Sequence, residues 1–189
     1  MNDDPNVLPD DLPIPVDDGA ADHLPGVAVP DITLEGTMGA TVSLARLKGR
    51  TVVYAYPKTG VPGRPLPTPD WNLIPGARGC TPQSCAFRDH FAELRQSGAS
   101  QLFGLSTQGT AYQREVAERL HLPFALLSDA GLALTRGLRL PSFVAGEEVL
   151  LRRLTMIIRD GRIEHVMYPV FPPDRNAGDV LTWLRANPI

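Results

Sequence analysis

The chain holds two cysteines, Cys80 and Cys85, five positions apart in the run GCTPQSCAFRD at positions 79–89. They follow a stretch rich in glycine and proline and open a helical pattern, so one sulfur falls near a helix N-terminus and the other within the first turns. That is a location for thiol chemistry, because a helix N-terminus favours the thiolate, the form of cysteine that attacks. The spacing also has a geometric consequence. Five residues on an intact helix rise about 7.5 Å and turn by about 140°, which sets the two Cα atoms roughly 8.6 Å apart. A disulfide rarely spans more than about 7 Å between Cα atoms. If both cysteines lie on the helix, a bond between them requires the first turn to unwind. The pair then reads as a switch between a folded dithiol and a locally unfolded disulfide. The plainer alternatives are two buried apolar thiols or a static staple.

The rest of the composition narrows the setting. With 189 residues, 43% hydrophobic and 21% charged, the sequence fits one soluble globular domain. A domain of that size buries roughly 70% of the surface of its unfolded chain, so it needs no disulfide to fold. No apolar run approaches the ~20 residues of a membrane span, and no basic run interleaved with aromatics suggests nucleic acid. His23, His90, His121 and His165 are scattered, and with two cysteines they do not make the spacing of a zinc site. The start, Met1-Asn2-Asp3-Asp4, has neither the basic residues nor the apolar core of a secretory leader, which leads us to expect a cytoplasmic protein. There, thiols stay reduced unless they are catalytic. The net charge of −3 is uneven, because the first 22 residues contain seven aspartates and no lysine, arginine or glutamate. Residues 1–24 read as an acidic, proline-rich, solvated extension ahead of a domain at 25–189.

The elements that must position the sulfurs follow from periodicity. Alternating residues around Gly36 and Gly39 predict a hairpin, and Thr51–Tyr56 predicts a buried strand stopped by Pro57. From Pro57 to Gly76, six prolines and three glycines predict a long loop. A helix is expected from Thr81 or Pro82 to Ser97, with Phe87, Phe91 and Leu94 on one face and Gly98 as its stop. Next come a strand at Gln101–Ser106, a helix at Thr110–Leu120, a short strand at Phe124–Leu127 and a short helix at Ala130–Gly137. Leu150–Arg159 and Arg162–Tyr168 flank Asp160-Gly161, a two-residue hairpin signal, and a last helix covers about Ala177 to Ala186. Strands alternating with helices, then a hairpin and a closing helix, describe an α/β domain with a central mixed β-sheet flanked by helices.

The chain resembles the peroxiredoxins, within them the peroxiredoxin Q (bacterioferritin comigratory protein) and AhpE-like group, from about Pro25 to Ile189. The resemblance rests on Val42–Arg50 before the first core strand, then Tyr56-Pro57-Lys58, then GCTPQSCAFRD, and finally Arg153–Ile163, in that order. It implies a thioredoxin-like fold and a thiol peroxidase. Cys80 would be the peroxidatic cysteine and Cys85 the resolving one. Gln83 stands where the family has a Glu or Gln that orients a catalytic arginine, Arg153 stands for that arginine, and Pro57 resembles the proline that shields the thiol. The resemblance further implies a peroxide substrate, thioredoxin or a similar thiol reductant as partner, no metal or organic cofactor, and a monomer or homodimer. One departure stands out. The family pattern has a proline seven residues, and a Thr or Ser three residues, before the reactive cysteine, where this chain has Leu73 and Ala77. An insertion of about sixteen residues after Tyr-Pro-Lys, giving an inserted loop at about 59–77, accounts for this. The missing hydroxyl then comes from Thr59, from Thr81, or from neither.

Other readings compete. A general disulfide oxidoreductase usually carries Cys-x-x-Cys, and the wider gap here argues against it. A redox-sensing or binding module would use the inserted loop and acidic extension to contact a partner. Among single residues, Arg78 adjoins Cys80 and either adds positive potential there or, the favoured reading, is a solvated loop arginine; Phe87 reads as core, Arg88 and Asp89 as local partners around the helix start, and Trp71 as a plug holding the inserted loop down in preference to part of a contact surface.

Overall fold

The computed structural model describes Leu8, residues 11–64 and residues 67–189. Part of the acidic extension and positions 65–66 of the inserted loop lie outside the described residues.

The core is organised by one strand. β3 (Arg50–Ala55) is buried along its whole length. It lies between β4 (Ala99–Ser106), with which it runs parallel, and β8 (Leu154–Arg159), to which it is antiparallel. β5 (Leu126–Ser128) extends the parallel part, and β9 (Arg162–Met167) continues from β8 through the Asp160-Gly161 turn. The predicted hairpin, β1 (Thr33–Gly36) and β2 (Thr41–Ser43), closes the other edge, giving the order β2-β1-β5-β4-β3-β8-β9. The sheet is mixed, as expected.

Period-two alternation sorts β3 onto two faces. Val53 and Ala55 join Phe103, Leu105, Met156 and Ile158 in one cluster, which also takes in Ala21 and Leu24 of the N-terminal region. Val52 and Tyr54 join Leu102 and Ile157 in the second. Over that second face pack α1 (Cys80–Asp89), α2 (Phe91–Gln96), α3 (Thr110–Arg119) and α5 (Asn176–Ala186), while α4 (Ala133–Leu138) packs on the first. Gly104 is needed on β4, because a Cβ there would stand 2.8 Å from the Tyr54 ring and 2.5 Å from Leu126. Tyr54 uses that space to stack on Phe87 of α1, with ring centroids 4.3 Å apart, so the cysteine helix is fastened to the central strand.

Three expectations are corrected. The single helix expected to run to Ser97 is two helices that part at His90, whose φ of −94° and ψ of 5° leave the helical region although its N–H still donates to the Ala86 carbonyl at 3.0 Å. The run Leu150–Arg159 is two strands. β7 (Glu148–Leu151) pairs with β6 (Ser142–Ala145) in a separate hairpin, and β8 starts after a break at Arg152 and Arg153. The extension is not solvated throughout, because Ala21 and Leu24 are buried and the Tyr168 hydroxyl donates to Asp18 at 2.8 Å.

Candidate active site

Cys80 is the first residue of α1, as its position after the Gly/Pro-rich stretch implies. The preceding residue, Gly79, has φ +99°, a conformation that glycine adopts without strain. A side chain there would also collide with Pro173, whose Cγ lies 2.4 Å from the Cβ position. Cys85 lies on the same helix, one face round, and both thiols are free. The condition set by the spacing is met: with both residues helical, the sulfurs cannot join while the first turns of α1 are intact.

The Cys80 sulfur is almost fully buried, yet it lines a cleft of about 320 Å³. A cation reaches it from the other side. Arg153, in the break between β7 and β8 rather than on a strand, places Nη2 3.2 Å from Cys80 Sγ. The same nitrogen donates to the carbonyls of Arg78 at 3.0 Å and Gly76 at 3.2 Å, and Nη1 donates to Gln83 Oε1. A guanidinium this buried and this close stabilises negative charge on the sulfur. Gln83 Nε2 donates in turn to Asn176 Oδ1 at 2.9 Å, and the Thr155 hydroxyl donates to the same oxygen at 2.7 Å. Cys80, Gln83 and Arg153 are therefore brought together as the sequence motifs suggested.

The inserted loop forms the other side of the cleft. Thr59 is buried in its wall, with N–H and hydroxyl both donating to Gln108 Oε1 at 3.1 Å. Thr81 lines the cleft next to Cys80, and its buried hydroxyl has no hydrogen-bond partner among the described residues. Pro57 is buried but does not line the cleft, whose wall begins at Lys58. Trp71 is buried in the wall and packs against Phe143 of the β6–β7 hairpin, ring centroids 6.4 Å apart, which fits the plug role. Arg78 is a correction, being buried at 6% exposure in the cleft lining with Nη1 bonded to Asn72 at 2.9 Å rather than solvated. Phe87 is core, as expected, and Arg88 bonds Asp89 at 2.8 Å.

The lining of the cleft is cationic, although one of its cations, Lys58, is ion-paired with Glu148 outside the lining. Lys58, Arg64 and Arg78 line it together with Cys80, and no described lining residue is acidic. Burial pushes the Tyr54 and Tyr56 hydroxyls well above the ordinary phenol range, so both stay neutral beside the cysteine helix. Burial also pushes the Cys85 thiol up, with the nearby Arg88 opposing the shift.

Sequence reasoning missed Tyr112, whose hydroxyl donates to the Thr59 carbonyl at 2.9 Å and whose ring lines the cleft. It also missed Gln108, Thr155 and Asn176. Tyr112 shares helical spacing with Val116 and Leu120, so the sequence reads it as part of the apolar face of α3. Nothing in the local pattern marks the other three, since their partners come from distant elements.

The sheet with its flanking helices, and a cysteine facing an arginine at a helix N-terminus, define a thioredoxin-fold thiol protein. Residues 24–181 match the Redoxin family. The chloroplastic peroxiredoxin Q of Oryza sativa subsp. japonica is 32% identical over 163 residues, 85% of this chain and 66% of the rice protein, so the chain spans a little under two thirds of that relative. Peroxidoxin BcpB from Mycobacterium tuberculosis superposes with a TM-score of 0.70 at 26% identity, covering 88% of this chain and 100% of that one. Peroxiredoxin Q from Xanthomonas campestris shares the fold at a TM-score of 0.67 and 22% identity, covering 87% of this chain and 97% of that one. The chain belongs to the Redoxin family, as a peroxiredoxin of the peroxiredoxin Q type.

Proposed function

We propose that the chain is a thiol peroxidase that reduces hydrogen peroxide and organic hydroperoxides at Cys80 and is returned to its dithiol form by thioredoxin or a similar thiol reductant. The observation that carries this reading is the 3.2 Å contact between Arg153 Nη2 and a cysteine sulfur that opens onto a cleft. Peroxide cleavage needs a thiolate and a means of stabilising the charge that develops on the leaving oxygen. Arg153 sits where it can supply both. The Cys80 thiolate attacks one peroxide oxygen, an S–O bond forms, the O–O bond breaks, and the other oxygen leaves as an alcohol or water after taking up a proton. Thr59 is suited to accept a hydrogen bond from the peroxide, its own proton being committed to Gln108, whereas the Thr81 hydroxyl is free to donate.

Resolution follows from α1. The Cys85 thiol attacks the Cys80 sulfenic acid, an S–S bond forms, and hydroxide leaves with the thiol proton as water, while the first turns of the helix unwind to bring the sulfurs within bonding distance. The dithiol reductant then transfers two electrons and two protons to restore both thiols. Gln83 orients Arg153, no metal or organic cofactor takes part, and the proposed setting is the cytoplasm, as a monomer or homodimer. No described helix is long and apolar enough to cross a membrane.

The test is peroxide consumption coupled to thioredoxin and NADPH, with mass measurement of the Cys80–Cys85 bond. Cys80→Ser is expected to abolish turnover. Full activity in that variant, or reduction of model disulfides without consumption of peroxide, would overturn the proposal.

A further inference from the structure

We infer that Asn176 is a positioning residue for the reaction at Cys80, which, with Thr155, fixes the Gln83 amide with its oxygen toward Arg153. The inference rests on the thiol-peroxidase reading. A guanidinium carries only donors. An amide presents an acceptor on one side and two donors on the other, so the way Gln83 faces decides whether Arg153 is held or repelled. Gln83 is fully buried, and a residue in that setting depends on its protein neighbours for orientation.

Those neighbours are arranged with one polarity. The Thr155 hydroxyl and Gln83 Nε2 both donate into Asn176 Oδ1, at 2.7 and 2.9 Å. Gln83 Oε1 then accepts from Arg153 Nη1, and Arg153 Nη2 faces the sulfur at 3.2 Å. Turning the Asn176 amide over would set its NH₂ against the Gln83 NH₂, donor against donor. The orientation is kept although Asn176 Nδ2 is buried with no partner among the described residues, so the local geometry favours the accepting oxygen over satisfying that nitrogen. The participants come from three elements: Gln83 from α1, Thr155 from β8 two positions after Arg153, and Asn176 from the first residue of α5. Asn176 touches neither sulfur nor cleft. It acts through Gln83 on the guanidinium.

The test compares Asn176→Leu, Asn176→Asp and Thr155→Val with wild type in three measurements: the rate constant for oxidation by hydrogen peroxide, the rate of Cys80 alkylation by iodoacetamide at fixed pH, and thermal stability. A carboxylate only accepts, so Asn176→Asp preserves the polarity of the relay, and a negative side chain suits the first residue of a helix. Misplacing the guanidinium is expected to slow peroxide oxidation about 30-fold in Asn176→Leu and about 5-fold in Thr155→Val, with Asn176→Asp within about 3-fold of wild type. Alkylation should follow the same order. A merely structural role would make the rates follow melting temperature instead. An Asp variant as slow as the Leu variant, or unchanged alkylation and peroxide rates in Thr155→Val, overturns the inference. Thr155→Val, which removes a single donor, carries the test if Asn176→Leu does not fold. A wild-type chain inert to peroxide would refute the function proposed above, and the alkylation series would still decide whether the relay acts on Cys80.

Discussion

Arg153 Nη2 stands 3.2 Å from Cys80 Sγ and also holds the carbonyls of Gly76 and Arg78, so one cation grips both the sulfur and the backbone that presents it. The contact depends on a planar fork, with one nitrogen on Gln83 and the other on the sulfur. Lysine keeps the charge and loses the fork.

Arg153→Lys should therefore slow peroxide oxidation of Cys80 by about 100-fold, the scale of removing one preorganised donor from a site of developing charge. Stopped-flow mixing with hydrogen peroxide measures it. A variant within a few-fold of wild type would show that charge alone suffices.

Cys85 is held as a thiol by its burial, which raises its titration above the ordinary range. At neutral pH, Cys85 in the reduced chain should therefore alkylate more slowly than the same residue in urea, and its rate should rise as pH increases. Peptide mapping after iodoacetamide reads this out. Cys85→Ser should consume about one peroxide per chain and then stall, with a mass gain of about 16 Da for a sulfenic acid or about 32 Da on over-oxidation.

Gly79→Ala places a Cβ 2.4 Å from Pro173 and 2.7 Å from Leu8 at a φ of +99°. Both the conformation and the collision disfavour it, and a loss of about 1–3 kcal/mol is expected. Denaturant unfolding measures the loss. Because α1 starts at the next residue, peroxide reactivity should fall in the same variant.

The Asp18–Tyr168 bond ties the N-terminal segment to the residue that follows β9. The Tyr168 hydroxyl holds the Asp18 carboxyl below its ordinary 3.8, so that contribution is present above pH 3.8 and lost as pH falls below it. Burial, then the hydrogen bond to Asp18, pushes Tyr168 from 10.0 up to about 12, so its contribution is present below pH 10 and fades as pH rises toward 12. The tie thus operates across the neutral range. Tyr168→Phe should speed cleavage by endoproteinase Asp-N at Asp17 and Asp18 several-fold at neutral pH, as followed by mass spectrometry; unchanged cleavage would show that the segment is held by packing alone.

What the sequence conveyed about this site was local. The run around Cys80 carries its own helix start, and the order of motifs carries Gln83 and Arg153. The break that places Arg153 was hidden because Val149–Ile158 is apolar on both sides of two arginines and reads as one strand, whereas the structure spends its first part on a hairpin with β6. The break at His90 was hidden for a related reason: Phe87, Phe91 and Leu94 keep helical spacing straight through it. Arg78 was misjudged because burial of a charged residue depends on what folds over it, here the inserted loop. Thr155 and Asn176 became visible only when β8 and α5 were brought beside α1.

Both sulfurs ride on one short helix whose opening glycine is wedged between Pro173 and Leu8. In the mechanism proposed above, joining them would unwind the turn that this wedge anchors, so a disulfide form would present α1 differently from the dithiol. On that mechanism, oxidation state would be legible to a reductant as shape.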